Sequence, residues 1–252
     1  MEGLDLIADL YRNQPRQGPG GPEQTDLALR LAGLKADSSL AVADIGCGTG
    51  SSALHLARSL GAEITAVDFL PQFLGELEQA AASEGLSERV RTLACDMSKL
   101  PFDRGSLDLI WSEGAIYNLG FERGVREWRD YLKPGGILAV SEITWLTQQR
   151  PAELDRFWNQ SYPEIDTAAN KLQVLEQSGY TPLGYFVLPE SCWLQNFYAP
   201  LEESFGLFLA RHGHSPAAEA LVEEHRQEIA LYRKYRRYYS YGFFVARWSG
   251  AP

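Results

Sequence analysis

Strand-like and helix-like patterns alternate along most of the chain. In MEGLDLIADLYRN, Leu4, Ile7, Ala8 and Tyr11 recur at helical spacing and predict an amphipathic first helix. QPRQGPGGPEQTD (14–26) is dense in Gly and Pro and predicts a loop, with helical signals returning over Thr25–Leu34. SLAVAD (39–44) reads as a short apolar strand, followed by a glycine turn and a helix over Ser51–Leu60. AEITAVD (62–68) is a second strand. Pro71 then opens a helix with Phe73, Leu74, Leu77, Ala80 and Ala81 on one face. RVRTLACD (89–96), SLDLIWSE (106–113) and GILAVSE (136–142) are the next three strands. A helix over Phe121–Leu132 and a KPGG stop (133–136) lie before the last of them. This alternation implies an α/β fold with a parallel sheet covered on both faces.

The last third is less regular. Residues 151–178 and 200–238 read as largely helical, and TPLGYFVLP (181–189) as a strand. YSYGFFVARW (239–248) is apolar at nearly every position, as a central strand buried on both faces would be. No domain boundary appears, so residues 1–252 are expected to form one domain: N-terminal helices and a lid loop (1–35), a core (36–150), cap segments (151–165 and 190–238) and the final strand (239–248).

The 33 acidic against 23 basic side chains give a formal charge of −10, which disfavours a general binder of nucleic acid or anionic membranes. Three scattered cysteines, Cys47, Cys95 and Cys192, suit a reducing compartment. With neither a signal-peptide pattern nor a membrane-length apolar run, the expected location is cytoplasmic. His212 and His214 in RHGHS lack companions at metal-ligand spacing, so no metal is expected. YRKYRRYY (232–239) interleaves basic and aromatic residues, but on an acidic chain it reads as a helix with a solvated basic face.

The sharpest motif is VADIGCGTG (42–50), where Gly46, Gly48 and Gly50 allow a tight turn and close approach of a ligand to the backbone. Its spacing is not that of the dinucleotide fingerprint. Asp44, Asp68, Asp96 and Glu113 stand at the ends of the first four strands, where ligands of open α/β sheets bind. Such acids suit a ligand carrying a ribose and positive charge, and suit a pyrophosphate poorly.

These features together resemble the class I S-adenosylmethionine-dependent methyltransferases, and the resemblance covers most of the chain. It is closest to the small-molecule branch that includes the quinone-biosynthesis enzymes, and within it to a bacterial group carrying RQGPG and WSEGAIYN. The resemblance implies a Rossmann-like, seven-stranded, mostly parallel sheet with an antiparallel last strand, helices on both faces and a small helical cap. It implies S-adenosylmethionine as cofactor, with Asp44 toward its amino group, Asp68 (followed by Phe69) at the ribose, and Asp96 and Met97 flanking adenine. Tyr11 and Arg16 are expected on a lid over the cofactor.

Methyl transfer from a sulfonium is an in-line displacement, so the protein orients, excludes water and, where needed, removes a proton. Glu113 is expected to touch the cofactor or act as base, and Tyr117 and Asn118 to meet a small-molecule acceptor. Trp145, Trp158, Tyr162, Trp193 and Tyr198 are candidates for an aromatic acceptor pocket. The chain is expected to be a monomer or homodimer. Two other readings are a non-catalytic adenosylmethionine-binding protein and, less well supported by the glycine spacing, an NAD-dependent oxidoreductase.

Overall fold

The computed structural model describes residues 2–250. Two helices, α1 (Glu2–Tyr11) and α2 (Pro22–Ala32), flank the Gly/Pro-rich segment and precede the alternating core. That core runs β1 (Ala41–Ile45), α3 (Ser51–Leu60), β2 (Glu63–Asp68), α4 (Pro71–Ser83), β3 (Val90–Ala94), β4 (Leu107–Glu113), α5 (Phe121–Trp128) and β5 (Leu132–Trp145). It continues through α6 (Ala152–Ser161), β6 (Asp166–Thr167), α7 (Ala168–Gln177) and β7 (Tyr180–Val187). The chain closes with α8 (Glu190–Trp193), α9 (Ala199–Arg211), α10 (Pro216–Tyr235) and β8 (Tyr239–Trp248).

The strand order is β3-β2-β1-β4-β5-β8-β7, with the two-residue β6 paired to β5 off that path. Strands β1 to β5 pair in parallel, and β8 runs antiparallel to both β5 and β7. Seven principal strands thus form the expected sheet, the last inserted antiparallel. Its first eight residues are all buried, which is why YSYGFFVARW carries no polar face. Strand order reverses between β1 and β4, so the crevice outside their carboxyl ends is the topological switch point where ligands of such sheets bind.

One face packs Leu29, Leu56 and Leu77 against Ile64, Trp111 and Phe243. The other packs Val125, Trp128 and Leu175 against Ile45, Ile110 and Phe244. A third cluster joins α1 to the cap through Leu10, Trp193, Tyr198, Phe208, Val222 and Tyr232.

Three departures from the sequence expectation have local causes. The helix after β4 ends at Trp128 and tightens into a 3₁₀ turn over Arg129–Tyr131. Residues 151–178 are two helices, because Pro163 cannot continue α6 and Thr167 caps α7 by accepting the Asn170 N–H. KPGG belongs to the start of β5, at an irregularity of register between Leu107 and Leu109. No helix among the described residues is long and apolar enough to cross a membrane.

Candidate functional site

A cavity of about 540 Å³ opens at the carboxyl ends of β1, β2, β3 and β4. Its floor is Gly46–Gly48, its sides carry Asp68–Leu70, Cys95–Met97 and Glu113–Ala115, and its roof is α1 with residues 16–18. Tyr11, Arg16, Gly46, Gly48, Asp68, Phe69, Asp96, Met97, Glu113, Tyr117 and Asn118 all line it.

The RQGPG segment is a strap tied to the glycine loop. Gln17 Oε1 accepts from the Thr49 N–H at 2.9 Å and from the Thr49 hydroxyl at 3.0 Å. Gly48 has φ +56°, and a side chain there would strike Gln17 Oε1. Arg16 donates to Ser51 Oγ at 3.0 Å and forms an ion pair with Glu113, both side chains being nearly buried. A single π-helical turn, Leu194–Tyr198, lets Asn196 donate to the Gly20 carbonyl at 2.7 Å. Gly50 turns the chain into α3 against Leu77, outside the cavity wall.

The four strand-end acids occupy four different environments. Asp44 is fully buried beneath the floor, where Ser52 donates to its Oδ2 at 2.6 Å while Oδ1 lacks a partner. Burial pushes it up to about 7; the Ser52 hydrogen bond opposes that rise and the Glu113 charge adds to it. It is not among the residues that line the cavity. Asp68 accepts the N–H groups of Gly48 and Leu70, each at 2.9 Å, and keeps further lone pairs for the cavity. Burial raises its pKa, against those two donors. Asp96 is exposed and is held below the usual carboxylate range by the Ser98 N–H and hydroxyl, both at 2.8 Å.

Glu113 lines the cavity and is the most heavily engaged of the four. Besides Arg16, it accepts from Thr25 Oγ1 at 2.8 Å and Trp111 Nε1 at 3.0 Å. These donors make it an anchor for the strap, on the cavity wall.

The aromatic expectation also needs correction. Trp145, Trp193 and Tyr198 are buried in the cap core, and Trp158 packs partly buried against it. None of these lines the cavity. Trp193 stacks on Tyr232 at 4.4 Å and Trp158 meets Tyr239 edge-on at 5.2 Å, contacts that fill volume instead of offering a surface. Tyr162 approaches only through Tyr117, ring to ring at 6.0 Å. Behind it lies a buried pair that sequence reasoning missed, Lys171 Nζ to Glu142 Oε1 at 3.3 Å. His212 faces Asp9, a carboxylate it shares with Arg211 and Arg12, and His214 faces Glu219.

Gln17, Thr25, Ser51, Asn196 and His225 were likewise missed, and of these Gln17 and Thr25 lay in a stretch already marked by its Gly/Pro density.

The wall suits an adenosine-bearing cation. It has a carboxylate with spare acceptors at Asp68, apolar surface at Phe69 and Met97, and acids that outnumber the single basic side chain, Arg16, itself neutralised by Glu113. A pyrophosphate would find no free cation on the wall among the described residues.

Residues 42–136 match the family described as a methyltransferase domain. Methyltransferase GfsG of Streptomyces halstedii is 36% identical over 103 residues, covering 40% of this chain and 37% of that protein. A SAM-dependent methyltransferase from Geobacter sulfurreducens, solved with S-adenosyl-L-homocysteine, aligns with a TM-score of 0.83 at 19% identity. The alignment covers 96% of this chain and 97% of that one. The [4+2]-cyclase SpnF aligns with a TM-score of 0.74 at 25% identity, over 97% and 92%. Against the first three curated relatives the aligned stretches span only 27% to 56% of those proteins' lengths. Residues 42–136 thus carry the likeness to a methyltransferase domain, and the sheet and its flanking helices have the fold of the Geobacter structure.

Proposed function

We propose that this chain methylates a small-molecule acceptor by in-line displacement, within the small-molecule branch to which the quinone-biosynthesis enzymes belong. The observation that carries the reading is a single cavity: Gly46, Gly48, Asp68 and Asp96–Met97 lie on the same wall as Tyr11, Tyr117 and Asn118. Its volume, about 540 Å³, is that of a small-molecule site. A macromolecular acceptor would need an open face in place of the strap.

When bound, S-adenosylmethionine supplies an activated methyl group on a sulfonium. Asp68 accepts from the ribose hydroxyls, Phe69 and Met97 offer apolar surface to adenine, and Asp96 stands at its edge. Asp44 acts from beneath the floor by charge, through the loop it underlies. Arg16 and Gln17 hold the strap over the loop, which excludes water and fixes orientation, an effect that in general supplies roughly 7–11 kcal/mol. Glu113 secures the strap, and Tyr117 faces the acceptor.

A second reading, cofactor binding without methyl transfer, is favoured by the engagement of Glu113 with three donors and by the likeness to a cyclase. Calorimetry with S-adenosylhomocysteine and NAD, followed by product assays over hydroxyl, amine, thiol and carbon acceptors, separates these. The proposal expects binding of the first ligand, none of the second, and a methylated product. Tight binding with no product from any acceptor would support the second reading.

A further inference from the structure

Tyr11 lines the cavity from α1, and its hydroxyl lies 2.6 Å from Nε2 of His225 on α10. A second contact sets the direction of that bond. His225 Nδ1 is 2.8 Å from the Leu221 carbonyl, and a carbonyl only accepts. The ring proton is therefore on Nδ1, Nε2 offers a lone pair, and the Tyr11 O–H donates to it. The phenol oxygen keeps its own acceptor capacity.

The surroundings hold this pair in place. Phe197 stacks on Tyr11 at 6.2 Å, and Phe205 meets the His225 ring at 6.5 Å. Half-buried Glu228, which accepts from the Tyr198 hydroxyl at 2.8 Å, is close enough to His225 for their charges to interact. The strap touches this set only at the Tyr11 backbone carbonyl, which accepts from Gln17 Nε2 at 3.1 Å. Of the six large apolar side chains exposed among the described residues, three (Leu4, Phe69 and Tyr117) rim this same cavity.

Building on the methyl-transfer reading, we propose that Tyr11 and His225 form the proton exit of the acceptor site, and that the acceptor is an apolar molecule presenting an ionisable hydroxyl of the phenol or enol class. The acceptor O–H bond breaks and its proton passes to the Tyr11 oxygen, while the Tyr11 proton moves to His225 Nε2. The freed pair on the acceptor oxygen forms the new O–C bond, the pair of the old C–S bond staying on sulfur. The positive charge lost at sulfur reappears as the His225 imidazolium, facing Glu228, so the buried site keeps its total charge. An amine acceptor leaves as an ammonium and needs no such exit. A hydroxyl becomes a competent nucleophile only as its proton departs.

Two measurements on the full chain test this. Side-chain nitrogen NMR of the S-adenosylhomocysteine complex at pH 7.5 reads the four histidines, with His225→Gln identifying the ring concerned. The expected result is a neutral Nδ1–H tautomer whose Nε2 signal moves in Tyr11→Phe while the other rings stay put. An Nε2–H tautomer, an imidazolium, or indifference to Tyr11→Phe overturns the inference. The second measurement assays S-adenosylmethionine with substituted phenols of graded acidity beside an amine and a thiol. Phenols are expected to be methylated. In His225→Gln and Tyr11→Phe, kcat for weakly acidic phenols should fall about 10²–10⁴-fold, against less than about tenfold for 4-nitrophenol, with KM and cofactor affinity little changed. Methylation of the amine or thiol alone, or equal loss across all phenols, overturns the inference and leaves methyl transfer standing. No product from any acceptor, with cofactor bound, overturns both.

Discussion

Arg16 and Glu113, 97 residues apart in sequence, form a nearly buried ion pair that closes the N-terminal strap onto the end of β4. The same guanidinium reaches Ser51 at the start of α3, so one side chain joins strap, strand end and glycine-loop helix. Arg16→Ala leaves the Glu113 carboxylate buried without its cation, a change that costs roughly 3–5 kcal/mol in comparable pairs. The expected outcome is a Tm lower by roughly 5–15 °C and a loss of S-adenosylhomocysteine affinity of at least about tenfold, read by calorimetry. Arg16→Lys should recover only part, since an ammonium cannot hold both partners in one plane.

Gly20 tests the strap from the opposite side. A β-carbon there would lie 2.7 Å from Arg16 Cζ and 2.9 Å from Glu113 Oε2. Gly20→Ala is expected to displace the guanidinium and reproduce the affinity loss of Arg16→Ala. Full affinity in this variant would show that the ion pair tolerates a shifted strap.

Asp68 has two jobs, holding the Gly48 and Leu70 N–H groups and facing the cavity. Hydrogen bonds to a charged group are worth about 1.5–3 kcal/mol. Asp68→Asn should therefore weaken S-adenosylhomocysteine binding about 10–100-fold in calorimetry, with a smaller effect on Tm.

The Lys171–Glu142 pair supplies the contrast, being buried away from the cavity wall. Lys171→Met alone should lower stability by roughly 3–5 kcal/mol, and Lys171→Met with Glu142→Leu by much less. S-adenosylhomocysteine affinity should hold in every variant that folds. A selective loss of affinity would place this pair in the site.

Asp44 predicts a pH dependence of stability. Burial pushes its folded-state pKa up to about 7, above its ordinary value of 3.8. Between those values the folded chain holds a proton that the unfolded chain has lost. Its contribution to stability is therefore full at low pH and falls as pH rises through that window, by at most about 1.4 kcal/mol per pH unit. In denaturant titrations of the cofactor-free protein, Asp44→Asn should gain on the wild type steadily from pH 4.5 to 7. A difference independent of pH would contradict the assignment.

The sheet was legible because its signals are local. Alternation, the Pro71 helix start and the two-sided apolar run of β8 each report on a few neighbouring residues. The cavity wall was legible for the same reason, since Gly46, Gly48, Asp68 and Asp96 sit at recognisable offsets from strand ends. The cap was not, because aromatic residues such as Trp193 and Tyr198 look alike in composition whether they fill a core or line a pocket. Contacts between remote segments carry no spacing signal at all. RQGPG and WSEGAIYN each stood out, yet nothing in either says that Arg16 neutralises Glu113. Tyr11 stood out beside the Gly/Pro loop, but its partner His225, 214 residues away, left no mark.

A crystal structure of the full chain with S-adenosylhomocysteine tests the central claim most directly. The account predicts ribose hydroxyls within hydrogen-bond distance of Asp68, adenine against Phe69 and Met97, and sulfur directed toward Tyr11 and Tyr117 under an intact Arg16–Glu113 strap. Ligand bound outside this cavity, or seated with its sulfur facing away from Tyr11 and Tyr117, would contradict it.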